Sequence, residues 1–158
     1  MQIRKPFSEH LKERFDFEIT DDNYRLAFKS EVEKNFDPNQ FGHDMILEEL
    51  IIGWDDFVAD LELGYDMSSY EFDNDMDIWR KPVDLLSNSE LLNEFPEHRT
   101  TLNIINQIDN RFRRITQEHE KLANLEPWWK KRFLTKASSE YFDTVAVDVT
   151  NIQIERTD

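Results

Sequence analysis

Tyr24, Phe28, Val32 and Phe36 recur at four-residue intervals, which stacks them on one face of a helix beginning at Asp21 or Asp22. The two aspartates suit the positive end of that helix, and Pro38 lies just beyond its expected end. Ahead of it, Ser8 is placed to cap a short helix over residues 9–15, with Leu11 and Phe15 on one side. A second stripe, Leu47, Leu50 or Ile51, Trp54, Phe57 or Val58, and Leu61, predicts a helix from about Asp44. Gly53 costs a helix interior about 1 kcal/mol relative to alanine, so a strand ending near Ile52 competes with that prediction.

Residues 64–79, GYDMSSYEFDNDMDIW, lack a sustained period and read as a loop with at most one short strand. Pro82 then precedes Val-Asp-Leu-Leu, and Ser87 or Ser89 can cap a short helix ending at the Glu94-Phe95-Pro96 break. The longest helix is predicted over about 99–124. There Leu102, Ile105, Ile108, Phe112, Ile115, His119 and Leu122 advance by three or four residues and form a wide core-facing stripe. Arg114 and Glu118 would add one local pair worth about 0.2–0.5 kcal/mol. Pro127 suits the first turn of a further helix carrying Trp128, Trp129 and Phe133. After Lys136 the period becomes two. Val145, Val147 and Val149 alternate, as do Ile152 and Ile154, which predicts short strands at about 144–155 with a bulge or turn at Asn151. No internal repeat or low-complexity tract divides the chain. The expected fold is therefore α+β: a single compact, mainly helical domain over residues 1–158 with a small C-terminal antiparallel β element.

Composition supports a folded chain, since 12 Phe, 4 Trp and 4 Tyr are more aromatic residues than a disordered acidic chain carries. A length of 158 residues can bury about two-thirds of the extended surface. With 3 Gly and no cysteine, a glycine-lined phosphate site, thiolate chemistry and cysteine-ligated metals are excluded or disfavoured. The N-terminal MQIRKPFSEHLKERF has no apolar run of the secretory kind, and no segment approaches the 18 or so apolar residues of a membrane span. The expectation is a cytoplasmic protein without a membrane anchor or resident cofactor.

Charge changes the picture most. From Asp37 through Trp79 there is no Lys or Arg, yet 13 residues are Asp or Glu. Residues 1–80 hold 21 acidic and 8 basic side chains, against 13 and 11 in residues 81–158, so the acidic first half carries most of the net charge of -15. Solubility needs a magnitude of only about 2–8. In a helix, Asp44 with Glu48 and Asp56 with Asp60 are like-charge pairs four residues apart, each costing a few tenths of a kcal/mol. Such a field steers basic partners and rejects acidic ones. The charged contact candidates are Asp55, Asp56, Asp60, Glu62, Asp66, Glu71, Asp73, Asp75 and Asp77. Apolar anchors within the field would come from Tyr70, Phe72 and Trp79, with Trp54 and Tyr65 also available. This pattern predicts a protein-binding module that inhibits or masks a basic partner: an immunity protein or antitoxin facing a nuclease toxin, or a DNA mimic facing a nucleic-acid-binding enzyme. The competing explanation is that these acids simply solvate one surface.

The alternative function is a metal-assisted hydrolase or nuclease built on clustered carboxylates. Asp73, Asp75 and Asp77 have the opening spacing of a calcium loop, but the sixth position is Ile78 and the twelfth Asp84, where an EF-hand needs glycine and glutamate. The histidines His10, His43, His98 and His119 form no close metal pair, and no nucleophile motif stands beside Asp109, Glu118 or Asp148. Residues 99–136 carry nine Lys or Arg and four Asp or Glu. The run Trp128-Trp129-Lys130-Lys131-Arg132-Phe133 resembles a stacking and phosphate-binding surface in composition, but the whole-chain charge opposes direct nucleic-acid binding. The same run can instead meet the protein's own acids or drive head-to-tail self-association.

Overall fold

The computed structural model describes residues 5–37, 39 and 43–158. The described chain is mainly helical and carries a small antiparallel β element in its C-terminal part. It divides into two compact units: Met1–Asp55 with Trp79–Gln107, and Asp56–Ile78 with Ile108–Asp158. No helix among the described residues is long and apolar enough to cross a membrane.

Unit 1 begins with α1 (Phe7–Phe15), which starts after Pro6 instead of being capped by Ser8. Asp16 ends it in the left-handed region at φ 52°. In α2 (Asp22–Asn35) the side chain of Asp21 accepts from the Asn23 amide at 2.9 Å and caps the helix at the end where the sequence places the two aspartates. Tyr24 and Phe28 are buried as the four-residue spacing requires, while Phe36 lies just past the last turn in extended backbone. Pro38 falls outside the described residues. The helix α3 (Leu47–Leu63) runs straight through Gly53 and crosses from unit 1 into unit 2 after Asp55, which overturns the strand alternative. A Cβ at Gly53 would lie 3.1 Å from the Trp79 ring, so the residue that weakens the helix also makes room for an indole. A 3₁₀ turn (Lys81–Val83), α5 (Asp84–Asn88) and a second 3₁₀ turn (Leu92–Glu94) follow. Ser89 Oγ accepts from the Leu92 amide at 3.2 Å, while the N-cap position of this second turn is Leu91. Pro96 opens α6 (Pro96–Arg114), since a first-turn proline forfeits no helical hydrogen bond.

Unit 2 departs further from the sequence expectations. Residues 69–79, read as loop, form α4 (Ser69–Trp79), with Phe72 and Met76 inward one turn apart. Ser68 Oγ accepts from the Glu71 amide at 3.2 Å, so Ser-Ser-Tyr-Glu begins the helix in the manner of a capping box. At the other end of the expected 99–124 helix, α6 stops at Arg114, and residues 116–118 form β1 (Thr116–Glu118). Ile115, His119 and Leu122 therefore continue the apolar spacing without continuing the helix. Arg114 and Glu118 do not pair on a helix; Glu118 meets Arg132 at 3.4 Å instead. Pro127 leads into a 3₁₀ turn (Trp128–Lys131), after which Phe133 sits in β2 (Arg132–Leu134), antiparallel to β1 with Thr116 opposite Leu134. The strands predicted at 144–155 are displaced. Val145 belongs to α7 (Ser139–Ala146), capped by Ser138 Oγ on the Tyr141 amide. Tyr141, Val145 and Val149 are buried at i, i+4 and i+8, while Val147 is exposed, so the alternation of valines was one face of a helix and its continuation. Only β4 (Glu155–Arg156) is extended there, parallel to β3 (Lys136–Ala137). Gly64 ends α3 at φ 119°, with Thr157 Cγ2 3.0 Å from where a Cβ would sit.

Candidate functional site

The acids of the cation-free stretch separate by unit. In unit 1, Asp55 is buried and accepts from Arg14 Nη1 at 2.9 Å. Glu48 is also buried, and Arg25 donates to both of its oxygens at 2.7 and 2.6 Å, a bidentate charge-assisted pair. Arg25 is held further into its charged form by that pairing. Glu49 meets His43 Nε2 at 2.5 Å. Asp55, predicted as a contact residue, is thus engaged inside the unit as a counter-charge to Arg14. Trp54 is fully buried, with the Arg80 guanidinium 5.7 Å from its ring centre. The buried His98 ring closes a polar network: Nε2 donates to the Leu86 carbonyl at 2.7 Å, leaving Nδ1 to accept from the Tyr24 hydroxyl at 2.7 Å. Burial lowers the His98 pKa and pushes the Tyr24 hydroxyl up to about 12.

In unit 2, three predicted contact residues are likewise engaged inside the unit. Glu62 pairs with Arg111 at 2.6 Å, and Asp75 accepts from the Tyr65 hydroxyl at 2.7 Å. Burial and then that carboxylate hold Tyr65 far above the ordinary tyrosine range. Phe72 is core, edge-on to both Tyr65 and Tyr141. Asp56 and Asp77 are exposed, Asp77 with Lys130 at 3.8 Å. Asp60, Asp66, Glu71 and Asp73 are exposed and have no cation within ion-pair distance among the described residues. Large apolar side chains stand exposed in the same unit: Leu63 at 83%, Tyr70 at 61% and Ile78 at 56%, with Met67 less so. Of the remaining anchor candidates, Trp79 is partly exposed in unit 1, where its ring covers Gly53.

Asp73, Asp75 and Asp77 do not converge as metal ligands. On a helix, Asp73 and Asp77 share a face and Asp75 points away toward Tyr65. No group of three or more metal-ligating side chains occurs among the described residues. His119 caps a 3₁₀ turn, accepting from the Lys121 amide at 3.0 Å. Asp109 is buried on α6, away from any such grouping. The basic run is internally answered: Lys130 faces Asp77, Lys131 meets Glu126 at 3.0 Å, and Arg132 meets Glu118 and donates to Thr116 Oγ1 at 2.6 Å.

Sequence reading missed a cleft of about 610 Å³ within unit 2. It is lined by Tyr70, Asp73 and Asp77 of α4, by Lys121, Leu125 and Lys130, and by Val145 of α7 with Asp148 just beyond that helix. The Ser69 amide donates to Thr144 Oγ1 at 2.8 Å, tying the start of α4 to α7. The Asp73 carboxyl is raised by the protein mass around it and by Asp77, with Lys130 opposing. The spacing of Tyr70, Asp73 and Asp77 at i, i+3 and i+7 would have placed all three on one face, had residues 69–79 been read as a helix. No family model, no curated protein and no solved structure matches this chain.

Proposed function

We propose that this chain is an acidic protein-binding module that masks a basic partner, with a nuclease toxin or another nucleic-acid-acting protein as the class of partner. The observation that carries this reading is the surface of unit 2, where Asp60, Asp66, Glu71 and Asp73 lack cations among the described residues and lie in the same segment as exposed Leu63, Tyr70 and Ile78. Carboxylates without counter-charges raise the encounter rate with a basic surface, and apolar groups among them supply the residence time that charge alone does not. Proteins that bind nucleic acid present such basic surfaces because phosphate neutralisation dominates their affinity. We place the protein's action in the cytoplasm, where a chain without cysteine is indifferent to the reducing poise.

Affinity capture from the native cells, repeated at low and high salt, tests the reading. It predicts recovery of a basic, nucleic-acid-acting protein that salt releases and whose activity the purified chain suppresses. Recovery of acidic or neutral partners alone, or of a basic protein whose activity is unaffected, contradicts it.

A further inference from the structure

The cleft of unit 2 joins a closed apolar floor to carboxylates, two of which make no ion pair among the described residues, and Lys121, Lys130 and Arg132 also line it. Phe72, Met76, Trp129, Tyr141 and Val145 are each 3% exposed or less and form that floor. At the rim, Tyr70 and Leu125 leave 61% and 44% of their surface in water. Asp73 on α4 and Asp148 beyond α7 are exposed, and neither has a cation within ion-pair distance among the described residues. Lys130 approaches Asp77 only to 3.8 Å and lies 5.5 Å from the centre of the Trp129 ring, a loose arrangement that an incoming group can displace.

We propose that this cleft is the anchor site for a segment of a basic protein: it receives one large apolar side chain while Asp73 and Asp148 take Lys or Arg residues flanking that anchor. The proposal rests on the reading of the chain as a module for basic partners, and it adds where the partner is held. A volume of about 610 Å³ accommodates a tryptophan or phenylalanine with its neighbouring backbone. An apolar centre that sheds water, ringed by charge, is the arrangement in which a few anchors dominate binding energy. Asp73 has an added reason to accept a cation. Its carboxyl is held above the ordinary range by its surroundings and by Asp77, and an arriving Lys or Arg offsets both effects. Lys121, which has no carboxylate within ion-pair distance among the described residues, disfavours an occupant that is purely cationic and is available to a backbone carbonyl of the segment.

The test is an NMR titration of the full chain with three short peptides. One is rich in Lys and Arg with a single central Trp, the second replaces that Trp by Ser, and the third keeps the Trp in a neutral Gln/Ser background. The basic Trp peptide is expected to shift the Trp129 indole and the Met76 and Val145 methyl signals and to bind about thirtyfold more tightly than its Ser counterpart. Asp73→Asn combined with Asp148→Asn, both at exposed positions that leave the floor intact, should weaken it about fivefold. If the basic peptides shift only the amides of Asp60, Asp66 and Glu71, the basic-partner reading survives and the anchor site is overturned. Equal binding of the neutral Trp peptide would mean an uncharged apolar pocket and would also overturn it. If no basic peptide shifts either set of signals, both the anchor site and the reading beneath it fail.

Discussion

In unit 1, Glu48, Glu49 and Asp55 meet Arg25, His43 and Arg14, whereas in unit 2 Asp60, Asp66, Glu71 and Asp73 are exposed with no cation in ion-pair range among the described residues. All seven belong to one uninterrupted run without lysine or arginine. A cation-free segment therefore has two physical outcomes. Where the fold brings a distant guanidinium to it, a carboxylate can be buried and becomes part of the scaffold. Where none arrives, the charge stays on the surface, and its repulsion is a standing cost that only a partner or the solvent relieves.

The largest expected effect is in unit 1. Trp54→Ala empties a fully buried site and should cost roughly 3–5 kcal/mol in denaturant unfolding, with or without a partner. A variant that stayed stable but lost binding would make Trp54 an anchor and erase the distinction between the units. Next is Glu48→Gln, which removes the charge from a bidentate pair; Arg25 is partly solvated, so the loss should be about 1.5–3 kcal/mol by the same assay. A change within experimental error would show that the unit 1 acids are as dispensable as those of unit 2.

Acidity should act on the two units with opposite sign. The buried His98 has a folded pKa below its ordinary 6.5, so the unfolded chain takes up the proton first. Its contribution to stability is complete above pH 6.5 and is lost as the pH falls from there through the lowered folded value. Asp73 has a folded pKa above its ordinary 3.8, so its ionised form weighs against folding at neutral pH, and that cost disappears as the pH falls through the raised value. Ring and carboxyl chemical shifts followed against pH check both directions; a His98 ring that protonates above 6.5 would contradict the buried neutral network.

The smallest expected effect on stability belongs to the unit 2 set. Asp60→Asn, Asp66→Asn, Glu71→Gln and Asp73→Asn together should move unfolding by no more than about 0.5 kcal/mol per site, with any shift toward greater stability as repulsion is removed.

Periodicity made α2, α3 and the first part of α6 legible because each buries a sustained stripe: Tyr24 and Phe28, Leu47 to Leu61, Ile105 to Phe112. It failed for α4, which buries only Phe72 and Met76 and is announced chiefly by the Ser68–Glu71 cap. It misled at Val145 and Val149, since residues four apart satisfy a period of two as well as one of 3.6. The sorting of the acids was beyond sequence reading for a simpler reason. Asp55 finds its cation 41 residues away, Glu48 at 23 and Glu62 at 49, and no local pattern specifies such meetings. The cleft shares that origin, because α4, the turn around Trp129 and α7 meet only in the folded chain.

The most direct test of the division between structural and partner-facing acids is stopped-flow association with the captured basic partner across a salt series. It compares the wild-type chain with the variant carrying Asp60→Asn, Asp66→Asn, Glu71→Gln and Asp73→Asn. At low salt the association rate of the variant should fall by about tenfold, with a flatter salt dependence, while its unfolding curve stays in place. An unchanged rate and slope would mean that these carboxylates only solvate the surface of unit 2, and the basic-partner account would be contradicted.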